Sequence, residues 1–307
     1  MIIAEVVRSG FVESRHHGSV VVLDSSGDVR EQAGDITTPI FPRSSNKPLQ
    51  TVGMLRSGLT PADDADLALI SGSHRGESFH IRRVRDMLDA AGLTPAALRC
   101  PADLPLSEPD REAVLRAGGR AEPILMNCSG KHAGMLTTCV ANGWALEEYL
   151  DPKHPLQVAL ADTVADLAAE PIAATGVDGC GAPVFAFSLT ALARAFLRLV
   201  EAEPGTHERR VADEMRAHPE LVAGTGADDT VLMGAVPGLL AKGGAEGVVA
   251  VAVPGAGAVA IKVADGAMRA RTPVLLSGLR KLGIQTPALT EPILGGGGPV
   301  GEVRAVW

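Results

Sequence analysis

The stretch GVVAVAVPGAGAVAIKVADG, residues 247–266, holds two runs of valine, alanine and isoleucine separated by Pro254-Gly255-Ala256-Gly257 and closed by Asp265-Gly266. Short apolar runs bounded by turn residues and rich in β-branched side chains are strands. PGLLAKGG, residues 237–244, adds another just upstream. At the far end of the chain, IIAEVV (2–7) and GSVVVLD (18–24) alternate in the same way and close on the turn Asp24-Ser25-Ser26-Gly27. Helical patterns fill the middle. Lys47–Arg56 is the first, and FHIRRVRDMLDAAG (79–92) carries Ile81, Val84, Met87, Leu88 and Ala91 on one face and stops at Gly92. Further helices are expected at Asp110–Ala117, Lys131–Asn142, Pro155–Ala169, Leu189–Ala202 and His207–Ala217, with a closing one at Thr272–Leu282 before a glycine-rich tail. Strands at both ends and helices between predict an α/β (α+β) fold. Its antiparallel sheet is built from N- and C-terminal strands, with the helical middle packed against it. No repeat or long linker divides the chain, so residues 1–307 are expected to form one catalytic domain.

Composition narrows the partners. The chain is 46% hydrophobic and only 3% aromatic, with a net charge of −8. Few aromatics leave no base-stacking platform, and the negative charge opposes binding to nucleic acid and to anionic membranes. A small-molecule substrate fits better. The opening MIIAEVVRSG lacks the basic n-region of a secretory signal, which predicts a cytoplasmic protein. Cys100, Cys128, Cys139 and Cys180 are then free thiols or metal ligands rather than a disulfide framework.

Four stretches can carry chemistry. In RSSNKPLQ (43–50), Ser44 and Lys47 are three apart, so they share a face of a helical turn and the amine can act as base for the hydroxyl. Ser45 is only two from Lys47 and points elsewhere. Pro48 disfavours helical geometry at Lys47 and places the pair at the mouth of a helix. S-x-x-K alone is common by chance, and a serine cap beside a solvated lysine explains it as well. SGSHRGE (71–77) follows an apolar run and suits close approach of a ligand, or a simple turn with a satisfied His74. NCSGKHAGML (127–136) brings Cys128, Lys131 and His132 to one face, and GVDGCGAP (176–183) adds Asp178 and Cys180. Two thiols with a nitrogen or oxygen ligand would suit zinc, although two buried thiols are the simpler reading. Lys242 sits in a short apolar strand before two glycines, either as an active-site cation or as a strand-end residue reaching for water. Gly296, Gly298 and Gly301 match G-x-G-x-x-G, but no helix follows, so they do not form a dinucleotide site.

Taken in order, R-S-x-x-K-P, S-H-x-x-E, N-C-S-G-K-H-x-G-M-L, D-G-C-x-x-P, L-V-A-G-x-G and A-K-x-G-A resemble the rhizobial-type (class 3, "asparaginase II") L-asparaginases over nearly the whole chain. NCSGKHAGML is the most specific block. The resemblance implies a fold similar to serine β-lactamases and glutaminases, and two Ser–Lys tandems, Ser44 with Lys47 and Ser73 with Lys242. It also implies a zinc site of Cys128, Lys131 and Cys180, and a pocket lined by Arg43, His132 and Asp178. The activity implied is release of ammonia from L-asparagine through an acyl-enzyme, by a homodimer, with Ser44 as nucleophile and Ser73 as the alternative. A glutaminase or a penicillin-recognising serine hydrolase is the rival enzyme, given the S-x-x-K and the Lys242-Gly243-Gly244 run. A non-catalytic zinc or thiol-binding protein is the rival class. After the G-x-G turn the family pattern has an arginine and then a cysteine, whereas this chain has Ala227 and Asp229.

Overall fold

The computed structural model describes residues 1–289 and 292–307. The chain opens with β1 (Ile2–Arg8), β2 (Phe11–Leu23) and β3 (Val29–Ala33). Helices α1 (Lys47–Arg56), α2 (Asp66–Ile70), α3 (Ser78–Ala90), α4 (Glu108–Arg116), α5 (Ser129–Asn142) and α6 (Pro155–Ala168) follow. A small hairpin, β4 (Ala174–Val177) and β5 (Pro183–Ala186), precedes α7 (Leu189–Glu201), α8 (His207–Ala217), α9 (Pro219–Ala223) and α10 (Asp228–Ala235). The chain then returns to strands at β6 (Leu240–Gly243), β7 (Val248–Val253) and β8 (Gly257–Val263), and ends with α11 (Arg271–Lys281), β9 (Pro292–Gly295) and β10 (Gly298–Ala305).

One antiparallel sheet of eight strands gathers both ends of the chain in the order β6-β7-β8-β2-β1-β10-β9, with β3 added to β2. The long strand β2 makes this possible by serving different partners along its length. Residues 11–17 lie against β1, and residues 18–23 against β8, where Val20–Leu23 also pair with β3. Gly18 marks the changeover: a Cβ there would press on the Lys262 carbonyl and on Ile3. Every residue of β7 is buried, and all of β8 except Lys262. Both faces are therefore covered, which explains the continuous apolar runs where a half-exposed strand would alternate. Helix α7 packs on β7, β8 and β2, and α11 packs on β8 and β10, with Gly278 seated against Val259.

The expected architecture is present: strands from both ends form the sheet and helices fill the middle. Helices α1 and α6–α8 lie within a residue or two of where periodicity puts them. Three features carried no expectation from the sequence pattern. The glycine-rich tail is a hairpin, β9–β10, and β10 pairs with β1 from Ala4↔Ala305 to Arg8↔Gly301. Gly301 suits that place because a Cβ would collide with the Val7 carbonyl. The apolar run Leu67–Ile70 is a short helix, and the β4–β5 hairpin carries no periodic signal because Val177 is exposed beside buried Val184. None of the described helices is long and apolar enough to cross a bilayer.

Helix α5 meets α2 through two glycines. At Gly130 a Cβ would stand 2.7 Å from the Leu69 carbonyl oxygen, and at Gly134 one would stand 2.9 Å from the Ile70 side chain. Backbone cannot yield as a side chain can. Gly130→Ala is therefore expected to lower stability by about 1–3 kcal/mol, read as a lower urea midpoint, while Gly234→Ala inside α10, with ordinary helical backbone and open space around it, is not.

Candidate active site

The site begins where the chain enters α1. Arg43 adopts a left-handed backbone (φ +52°) and opens a single 3-10 turn, Arg43–Asn46, that runs straight into the helix. Lys47 is helical (φ −58°, ψ −39°) despite the proline after it. Pro48 falls in the first turn, where its missing N–H is no loss, and three acceptors fix Lys47. Its amine, 1% exposed, donates to Gly72 O (2.5 Å), Ser73 Oγ (2.9 Å) and Cys128 Sγ (3.1 Å).

Ser73 follows α2 on the tight segment Ser71-Gly72-Ser73. A Cβ at Gly72 would lie 2.8 Å from two backbone carbonyls, so only glycine lets this segment sit against α9. From β6, the buried amine of Lys242 reaches Ser73 Oγ at 3.0 Å and the Gly243 carbonyl at 2.6 Å. Both lysines thus meet on one hydroxyl. Burial brings Lys242 down to about 7; the charge of Asp229 opposes this, and Lys47 and Arg271 add to it. Near neutral pH a large share of Lys242 is an uncharged amine.

Ser44 stands apart from this hub. Lys47 hydrogen-bonds Ser73 rather than Ser44, and neither the Ser44 hydroxyl nor its backbone N–H has a hydrogen-bond partner among the described residues. Such free N–H groups are normal at the start of a helical segment. Ser45 is buried and donates to the Lys242 carbonyl at 2.9 Å, which ties the turn to β6. Gly244 allows this approach, since a Cβ would lie 2.6 Å from the Pro42 carbonyl. Ser44, Ser73 and Lys242 share a cleft of about 460 Å³ with Arg75, Asp229 and Arg271 on its walls.

Behind the cleft lies a buried sulfur cluster. The Lys131 amine donates to Cys180 Sγ at 3.2 Å, and Cys128 touches both Lys47 and Asn127. A hydrogen bond from Cys128 holds Cys180 well below the ordinary thiol range against the effect of burial, with Lys131 and His132 adding to it. The same bond and burial raise Cys128 well above that range. Burial pushes the Lys131 amine down, but Cys180 and Cys128 outweigh it and leave it raised. His132 is fully buried, takes a 2.6 Å hydrogen bond with the Tyr149 hydroxyl on Nδ1, and leaves Nε2 beside Cys180 without a well-formed partner. Two sulfurs, an amine and an unsatisfied imidazole nitrogen form the N/S donor set that zinc prefers. Among the described residues no cluster of three or more His, Cys, Asp or Glu side chains is placed to hold an ion, so a zinc site here needs Lys131 as a neutral ligand.

The remaining sequence candidates fall in different places. Arg43 Nε donates to Asp178 Oδ1 at 2.7 Å, and the Gly179 N–H takes the same oxygen, so the two charged residues close on each other. Neither they nor His132 line the cleft. His74 is buried: Gly76 N donates to its Nδ1 and its Nε2 bonds Ser129 Oγ at 2.9 Å, which makes it a satisfied core histidine. The four cysteines are all free and buried. Sequence reading passed over Arg75 and Arg271 as site residues. Arg75 lies inside the quoted SGSHRGE stretch, whereas Arg271 is isolated and carried no local signal. Asp229 appeared only as a departure from the family pattern; its Oδ2 accepts the Gly243 N–H at 2.6 Å, next to Lys242.

Comparison with known proteins adds the family. A search of curated proteins finds no match. Among solved structures, a β-lactamase from Mycobacterium bovis is 16% identical with a TM-score of 0.44, the match covering 86% of this chain and 94% of that one. The native form of Mglu is 15% identical with a TM-score of 0.45, over 86% of this chain but only 63% of the Mglu chain. Simvastatin synthase from Aspergillus terreus is 14% identical with a TM-score of 0.40, over 86% and 88% of the two chains. The sequence pattern of the family described as L-asparaginase II matches residues 4–305, which reaches every strand of the sheet and includes every residue of the Ser–Lys cluster, and the chain belongs to that family.

Proposed function

We propose that the protein hydrolyses the side-chain amide of L-asparagine to L-aspartate and ammonia through a serine acyl-enzyme. The observation that carries this reading is the Ser73 hydroxyl held between two buried lysine amines at a cleft that also exposes Ser44. Burying a lysine costs several kcal/mol unless it is paired or neutral, and an apolar side chain would fill the same space more cheaply.

Ser44 is the nucleophile in this mechanism. Among the described residues its hydroxyl has no competing bond, and its N–H, at the start of a helical segment, can donate to the developing oxyanion. Ser73 is less suited, since its own N–H is already bound to the Val222 carbonyl at 2.7 Å. Ser44 Oγ attacks the amide carbon as Lys47 passes one of its protons through the Ser73 hydroxyl to the neutral amine of Lys242 and takes the Ser44 proton in its place. Ser73 relays between Lys47 and Lys242, so a proton can be delivered to the departing amine and ammonia leaves. Water then takes the reverse path: the relay accepts its proton as it attacks the ester, and Ser44 is restored with release of aspartate. Cys128, Lys131 and Cys180 would hold a zinc ion beside this relay, where its fixed charge would order the surrounding groups and polarise a bound oxygen.

Three outcomes are expected. Ser44→Ala lowers ammonia release from L-asparagine by about 10³-fold or more and leaves no acyl adduct in acid-quenched intact-mass spectra, whereas Ser73→Ala and Lys47→Ala slow the reaction about 10²- to 10⁴-fold. An adduct on Ser73 in the Ser44→Ala protein would reverse the two roles. Glutamine and a β-lactam, assayed side by side, separate the rival hydrolase readings.

The second outcome concerns pH. Lys242 works as a neutral amine, so kcat/KM rises with pH up to about 7 and then levels, and Lys242→Arg removes that limb. The third concerns metal. Elemental analysis is expected to find about one zinc per chain, lost in Cys180→Ser, with a lower melting temperature after chelation. A zinc-free protein with unchanged melting and turnover would remove the metal from the site.

A further inference from the structure

The charged groups in the cleft differ from the pair that the family resemblance assigns to substrate. Arg43 is closed on Asp178 and stands outside the cleft. Arg271 lines it, and the sole hydrogen bond of its guanidinium among the described residues is a long one, 3.4 Å, to the Gly244 carbonyl. The guanidinium packs directly over Gly243, the residue after Lys242: a Cβ on Gly243 would fall on it. No carboxylate forms an ion pair with it among the described residues. The nearby acids are already engaged, Asp229 by the Gly243 N–H and Asp228 by the Thr272 hydroxyl. A half-buried guanidinium with only that one long bond, beside the reacting groups, is an incomplete receptor. Its natural complement is a carboxylate, which a guanidinium binds with two parallel hydrogen bonds.

We propose that Arg271 holds the α-carboxylate of the substrate, and so restricts this enzyme to amides of free α-amino acids. The proposal rests on the amide-hydrolase reading above. It places the substrate along β6, with its carboxylate over Gly243 and its side-chain amide at Ser44. The glycine is then required because any side chain there would displace the guanidinium. Asp229, which accepts the N–H of that same Gly243, keeps β6 in place beneath it.

Ammonia release from L-asparagine and from 3-aminopropanamide, the same molecule without its carboxylate, tests this directly. Losing a charge-assisted hydrogen-bond pair weakens binding about 10- to 100-fold. Arg271→Ala and the closer-fitting Arg271→Gln are expected to raise KM for asparagine by that factor, with kcat within about threefold, a pattern of lost uniform binding. Assayed on the alkaline plateau of the pH profile, where losing the Arg271 charge beside Lys242 no longer matters, neither variant should lower kcat/KM for 3-aminopropanamide, so the preference for asparagine collapses. A folding defect would lower both rates alike, and equal loss on the two amides in both variants overturns the proposal. So does collapse of the preference in Arg75→Ala or Arg43→Ala with Arg271→Gln unchanged. A wild-type enzyme inactive on asparagine overturns the hydrolase reading itself, a result distinct from active wild type with unaffected Arg271 variants.

Discussion

The Ser73 hydroxyl, taking hydrogen bonds from Lys47 and Lys242, is the contact on which the rest of the molecule converges. Each amine arrives from a different part of the chain: Lys47 from the first helix, Lys242 from a late strand, and Ser73 from the segment after α2. Three elements far apart in sequence must be held to within an ångström for these bonds to exist. Each amine also has a backbone carbonyl, Gly72 or Gly243, so the charge or its proton is always accommodated. Burial lowers the basicity of Lys242 into the range where an amine can exchange protons near neutral pH. The cost of burying these groups is carried by an aliphatic core of valine, alanine and leucine that runs through the sheet and the helices on it.

Close approach of backbones makes the convergence possible. Gly72 against α9, Gly130 against α2 and Gly244 against Pro42 are positions where a methyl group would push apart elements that carry Ser73, Lys131 and Lys242. The small residues scattered through SGSHRGE, NCSGKHAGML and AKGGAEG therefore have a packing reason. The sulfur cluster behind Ser73 uses the same economy of space: Cys128 is shared, touching Lys47 on one side and Cys180 on the other. A change at either sulfur thus reaches the Ser73 hydroxyl through Lys47, without crossing solvent.

Much of the fold was legible. Amphipathic periodicity placed the long helices, and the valine-rich runs placed β7 and β8, because burial on both faces leaves β7 wholly apolar and β8 apolar but for Lys262. The tail was not legible as a hairpin: half-exposed strands rich in glycine and proline have no apolar period, and β10 exists through its pairing with β1. Of the site residues, Ser44, Lys47, Ser73, Lys131, Cys128, Cys180 and Lys242 sit in short motifs with fixed spacing. Arg271 has no such motif, since its place over Gly243 comes from the docking of α11 on the sheet.

The sequence by itself determined the residue types and their local spacing: a serine and lysine three apart, cysteine and lysine three apart on one helix, and strands at both ends of the chain. These follow from local backbone geometry and from apolar patterning, which a single stretch of chain contains. Only the tertiary structure decided which serine each lysine meets. Spacing paired Lys47 with Ser44, but the buried amine turns to Ser73, where it finds a hydroxyl, a carbonyl and a sulfur together. It likewise closed Arg43 on Asp178, sealed His132 behind Cys180 and brought Arg271 to the cleft. Partner choice for a buried charge is set by which acceptors the packing of distant segments leaves within reach, and no local pattern encodes that.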